Sequence, residues 1–281
     1  MMSSFAQVID WINIPANILA KILLIPIAFL PGWFSNTIIS AMTGVVLLVI
    51  FKYTSNQRSI GRVRDNIKAN ILALKLFNES MVVTFQAQGR ILKGALLLLV
   101  HAIRPMLIMI VPVSLLLGQM GLWYQYRPLK PGDETLITMK FNGEIDSPWP
   151  KVSVQTVPAI EIELPPVRVF SERELYWKIR ILENGYHHIV FQVDKQKLEK
   201  QIAIGDGFMR VSTMRPGWHW ADILLHPGEK PFPPDAIVQS ISINYPHRIS
   251  RTSGTDWWLI YFFVVSLVFA LILRPFLRVE I

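Results

Sequence analysis

Residues able to do chemistry are few in this chain, and most of them stand inside apolar runs. Asn36, Ser40 and Thr43 recur at i, i+4 and i+7, so a helix carries all three on one face. His101 precedes Arg104 by three residues, again on one face, and Ser114 and Gln119 add polar atoms farther along the same stretch. In hydrocarbon such groups need a polar partner or water, so the pattern suits a polar groove; small polar residues also serve close packing of helices. Elsewhere, Trp218, His219 and Trp220 form an aromatic cluster that offers a partner-binding platform or simple packing. His187 and His188 are neighbours on an expected strand and point to opposite faces, which keeps them from chelating one ion. Cysteine is absent, which excludes disulfides, zinc–thiolate sites and iron–sulfur clusters. No HExxH, GxSxG, Walker or dinucleotide fingerprint occurs. The reading is a protein that is not an enzyme, with no catalytic residue, metal or cofactor.

The elements that must position these residues follow from hydropathy. The mean hydropathy is +0.37 and only 17% of the residues are charged, which is the composition of a membrane protein. Uncharged runs extend from Ile22 to Phe51, from Pro105 to Tyr126 and from Trp257 to Leu273. They give three transmembrane helices at 34–52, 105–126 and 256–274. Residues 1–33 are apolar but carry Lys21 and four backbone breakers, Pro15, Pro26, Pro31 and Gly32. They read as an amphipathic or re-entrant element at the outer face, with a fourth span as the alternative. The sequence starting "MMSSFAQVIDW" lacks the basic opening of a cleavable signal peptide.

Charge sets the sidedness. Residues 52–93 hold eight Lys and Arg against Asp65 and Glu79, whereas residues 125–256 hold sixteen basic and sixteen acidic residues. A short basic segment between spans stays in the cytoplasm. The expected layout is therefore a plasma (inner) membrane protein with an extracytoplasmic amino terminus and a cytoplasmic tail at 275–281. No nucleic-acid partner is implied, because the positive excess belongs to that one segment. Aromatic residues in "LWYQY" and "DWW" fall at the expected outer interface.

Residues 53–104 show helical periodicity through Ile60, Val63, Ile67, Ile71, Leu74, Phe77, Met81 and Phe85, with "NES" at 78–80 as the expected turn of a cytoplasmic hairpin. An unbroken long helix is the alternative. Residues 127–255 alternate like an antiparallel β protein, as in "AIEIEL" and "AIVQSISINY". Glu183-Asn184-Gly185 between "ELYWKIRIL" and "YHHIVFQV" predicts a β-hairpin there. The fold class is an α+β membrane protein with an inserted immunoglobulin-like sandwich, a small barrel being the alternative. Arg104 either lies deep in lipid and needs a polar partner, or marks the entry to the second span and snorkels to the interface; entry comes first.

The order of parts, with "IRPMLIMIVPVSLLL" at the second span, resembles the YidC/Oxa insertase superfamily, and within it the archaeal YidC-like proteins and the third subunit of the ER membrane protein complex. The resemblance covers residues 1–126 and 257–281. It implies an insertase-like chaperone with a cytoplasm-facing groove for the hydrophobic segments of client membrane proteins. Asn36, Ser40 and Thr43 would line that groove, Arg104 would supply its positive charge, and residues 57–92 would receive the client. The competing expectation is a non-catalytic anchored subunit of an envelope membrane complex, whose outer domain binds a partner through a sheet edge or Trp218, His219 and Trp220. Membrane lipids are partners on either reading.

Overall fold

The computed structural model describes residues 2–27, 30–76, 80–144, 146–155, 157–250 and 257–279. The chain is α+β. Among the described residues it has three apolar helices long enough to cross a membrane and a separate antiparallel β region. Helix α1 (Met2–Leu24) continues through Pro15 and ends in a 3₁₀ turn (Ile25–Ile27). Then come α2 (Gly32–Thr54), α3 (Gln57–Leu76), α4 (Met81–Tyr124), the short α5 (Trp220–Leu225) and α6 (Trp257–Leu277). The three candidate spans are α2, α4 and α6. Of the turn expected at 78–80, Asn78 and Glu79 lie outside the described residues, as do Phe77 and Asp256. The second arm of the expected hairpin and the second span are one helix, because α4 stays helical through Pro105 and Pro112.

Two compact units divide the chain, residues 1–36 with 114–261 and residues 37–113 with 262–281. Among its described residues the first contains nine strands: β1 (Glu134–Phe141), β2 (Val152–Val154), β3 (Ile160–Ile162), β4 (Val167–Val169), β5 (Glu174–Ile181), β6 (Gly185–Val193), β7 (Gln196–Ile204), β8 (Met214–Arg215) and β9 (Val238–Ile243). One sheet runs β3-β5-β1-β9-β8, with β4 also pairing β5; the other runs β2-β6-β7. Alternation does the sorting. Ile137, Met139, Trp177, Ile179 and Ile241 from the larger sheet and Ile189, Phe191, Val193, Ile202 and Ile204 from the smaller one belong to a single buried cluster.

The hairpin expected at Glu183-Asn184-Gly185 does not form. Strands β5 and β6 belong to different sheets, so this turn carries the chain from one sheet to the other. Gly185 adopts φ +130 there, and that left-handed freedom serves a corner as well as a hairpin. The hairpin of this region is β6–β7 instead, closed at Asp194 (φ 49), with Val193 opposite Gln196.

In the second unit small residues set the helix contacts. A Cβ on Gly44 of α2 would lie 2.3 Å from the Ser266 carbonyl oxygen of α6, so these two backbones touch. A Cβ on Gly94 of α4 would lie 2.6 Å from Ile67 Cγ1 of α3. With only the 77–80 connection between them, α3 and α4 form an antiparallel pair in which Ile67 faces Gly94.

Candidate functional site

The polar residues singled out in the sequence divide between the two units. In the first, Asn36 is fully buried and donates from Nδ2 to the Trp258 carbonyl at 3.4 Å. Beside it the Tyr124 hydroxyl donates to Ser35 Oγ at 2.9 Å, and the Tyr124 ring stacks 6.3 Å from Trp258. The start of α2, the end of α4 and the start of α6 are thus tied together through Tyr124. Ser114 is half-buried. Gln119 is buried and donates to Asn17 Oδ1 of α1 at 3.0 Å.

Helix α1 is bound along the β domain by a seam of apolar and amide contacts. Ala6 and Ile9 pack with Ile223 of α5, against Trp218, Trp220 and Leu224, and Phe5 meets Trp220 edge-on at 5.7 Å. Asn13 donates to the Ile223 carbonyl at 2.9 Å, and Asn17 Oδ1 also accepts from Arg210 at 2.6 Å. Trp218 and Trp220 therefore serve packing within the chain. His219 stays largely exposed, with Asp222 3.6 Å from its Nδ1.

In the second unit Ser40 is fully buried, and Thr43 returns its hydroxyl proton to the Ile39 carbonyl at 2.7 Å. His101 Nδ1 lies 2.7 Å from the Leu97 carbonyl one turn back, and Arg104 is exposed. The α3–α4 register locates Arg104. If Ile67 faces Gly94, then Gln57, ten residues earlier on α3, is level with residue 104 on α4. Gln57 begins α3 three residues after α2 ends, so on parallel axes Arg104 stands near the level where α2 finishes.

Beyond that level the hairpin carries apolar side chains into the open. Leu72, Leu76, Met81, Val82 and Phe85 are all exposed, Met81 at 77% and Phe85 at 70%. Leu76 is nineteen residues past Gln57, about 29 Å along the helix at 1.5 Å per residue. Exposed Arg58, Arg62, Lys68 and Lys75 accompany the apolar residues on α3. An apolar tip with a basic shaft can hold a hydrophobic segment and favour acidic flanks.

Sequence reasoning missed two cations of the β domain, one buried and one half-buried. Lys200 is fully buried and donates to the Ser212 carbonyl at 2.7 Å, the Gln201 carbonyl at 3.1 Å and Glu229 Oε1 at 2.5 Å. Glu229 also accepts from Ser212 Oγ at 2.6 Å and the Gln201 amide at 2.9 Å. Burial pulls the Lys200 pKa below that of a free lysine, against the opposing attraction of Glu229. The signal was the strand parity, because Lys200 shares the inward register of Ile202 and Ile204. The second is Arg248, for which no periodic pattern existed. Among the described residues no group of three His, Asp or Glu is placed to hold a metal ion.

No family model, curated protein or solved structure matches this chain.

Proposed function

We propose that the protein is an insertase-like membrane chaperone that receives hydrophobic segments of client membrane proteins on the α3–α4 tip. One observation carries the reading. Large apolar side chains stand in the open about 29 Å along α3 from the end of α2. A 23-residue helix such as α2 is about 35 Å long and just crosses ~30 Å of hydrocarbon, so lipid does not cover that tip. Exposed apolar clusters of this kind mark interaction surfaces. The basic shaft supports a cytoplasmic tip, where new membrane proteins emerge, and on this reading the two sheets are an immunoglobulin-like sandwich outside the plasma membrane. Arg104, near the level where α2 ends, serves as an interfacial anchor at the entry to the span.

The test is a photo-crosslinking side chain at Phe85 in native membranes. Ribosome-attached chains with exposed spans should be captured from Phe85 and not from Leu164 in the β domain. Burying a large apolar side chain contributes about 1.5–3 kcal/mol. Replacing Met81, Val82 and Phe85 together by serine should therefore weaken insertion of a single-span client at least about tenfold. Unchanged insertion defeats the proposal.

A second reading, an anchored non-catalytic subunit of an envelope complex, draws on a different observation. Asn36 and Ser40 are wholly buried, so that stripe offers a client nothing polar. On this reading the Phe85 probe captures one fixed partner, whichever chain is being synthesised.

A further inference from the structure

Arg248 lies in the segment between β9 and α6 and is anchored at two points. Its amide donates to the Gln125 carbonyl at 3.2 Å, and its Nη1 donates to the Gly207 carbonyl at 3.2 Å. The guanidinium carbon sits 4.4 Å from the centre of the Phe208 ring. The other edge of the guanidinium is different. Nε and Nη2 are both buried, and among the described residues neither meets an acceptor. These two nitrogens share one edge of the planar group and form the parallel fork that binds two oxygens of a phosphate or carboxylate. Among the described residues no carboxylate lies within ion-pair distance of Arg248, and burial pushes its pKa down to about 10, with only Tyr124 opposing.

A half-buried cation without a counter-charge carries a cost, and unmet buried donors add to it. Arg127 makes the contrast. It is also half-buried, yet it has Asp133 at 2.9 Å. An anion from outside the chain is the natural complement to Arg248.

Position names the source of that anion. Phe208 meets the Tyr124 ring at 5.2 Å, and Tyr124 is the residue that joins the ends of α2, α4 and α6. Arg248 is thus two ring contacts from Tyr124 at the end of α4, and Tyr124 reaches α6 by one further ring contact and α2 by a hydrogen bond. Trp33 and Trp257 are exposed at those same termini, as tryptophans at the headgroup layer are. Phosphodiesters lie at that depth in a bilayer. We infer that Arg248 is the centre of a phospholipid site, its Nε–Nη2 fork holding the headgroup phosphate beside Phe208 and the ends of the spans. The fork is shielded from bulk water, so the phosphate reaches it through a local side-chain shift from the headgroup layer and not from free solution. The inference rests on the membrane reading and not on client binding.

The full chain is purified in detergent, stripped of lipid, and titrated with dioleoyl phosphatidylglycerol or with inorganic phosphate. Bound molecules are counted by native mass spectrometry. The wild type should hold one phospholipid that survives dilution. Arg248→Lys, which keeps the charge without the fork, and Arg248→Gln should bind it about tenfold more weakly, as expected for loss of a charge-assisted hydrogen bond. A wild type that retains no phospholipid overturns the inference even if a variant fails to fold, and so does equal retention by wild type and Arg248→Lys. Inorganic phosphate that binds the wild type and displaces the lipid assigns the fork to a free anion and overturns the phospholipid assignment. Client insertion is read separately through Phe85, so either result can fail alone.

Discussion

The β domain and the α3–α4 hairpin handle the same kind of side chain in opposite ways. In the domain, strand alternation turns Ile137, Met139, Phe191 and Ile202 into one shared core, and even the lysine that falls on the inward register is given three acceptors. In the hairpin, Ile67 and Val63 meet the α4 backbone at Gly94, yet Leu76, Met81 and Phe85 face outward. One region is closed on itself. The other leaves large apolar side chains uncovered.

The sharpest way to break that contrast is at Lys200. Lys200→Met strands Glu229 in the interior, and removing one member of a buried ion pair costs about 3–5 kcal/mol. Hydrogen exchange along β7 should rise accordingly. The double change Lys200→Met with Glu229→Leu should cost less than the two single changes added together, because no charge remains buried. Strict additivity would show that the pair does not act as a unit.

A smaller effect separates two helical glycines. Gly44→Leu drives a side chain into the Ser266 carbonyl and should lower stability by about 1–3 kcal/mol or more, read as thermal unfolding in detergent. Gly61→Leu on α3 meets nothing within 4 Å and should leave stability unchanged or raise it by up to about 1 kcal/mol through helix propensity. Equal losses would mean that α2 and α6 do not rely on close backbone approach.

The smallest effect is electrostatic and confined to the exposed face of the larger sheet. Lys178 and then Arg180 hold the Glu134 carboxyl down at about 2, from an ordinary 4.5. Its folded value is the lower one, so its contribution is complete above pH 4.5 and is lost as pH falls toward 2. Glu134→Gln should flatten the acid limb of the stability curve. A limb that keeps its slope assigns the acid sensitivity to other carboxylates.

Much of this was legible in the sequence because hydropathy and alternation are local signals. The three long apolar helices and the antiparallel strand-rich block followed from runs and periods, whereas the continuation of α4 from Met81 through Pro105 into the second span did not. The Asn184-Gly185 turn was misjudged as a hairpin, because positive φ is a property of the residue and the destination of the next strand is not. The tie between α1 and the β domain was not visible either. It joins Asn13 to Ile223 and Asn17 to Arg210, across about two hundred residues of chain. The sequence left the cluster at Trp218 open between platform and packing, because its neighbours on α1 are equally remote in the chain.

The burial of Lys200 also supplies an internal reporter. All three of its ammonium protons are engaged and none of its side chain reaches solvent, while Lys130, Lys140 and Lys178 of the same domain are open. An amine-acylating reagent will modify those three at once, and Lys200 only when β7 parts from the loop carrying Glu229. The delay between them measures how often the folded domain opens, without any engineered label.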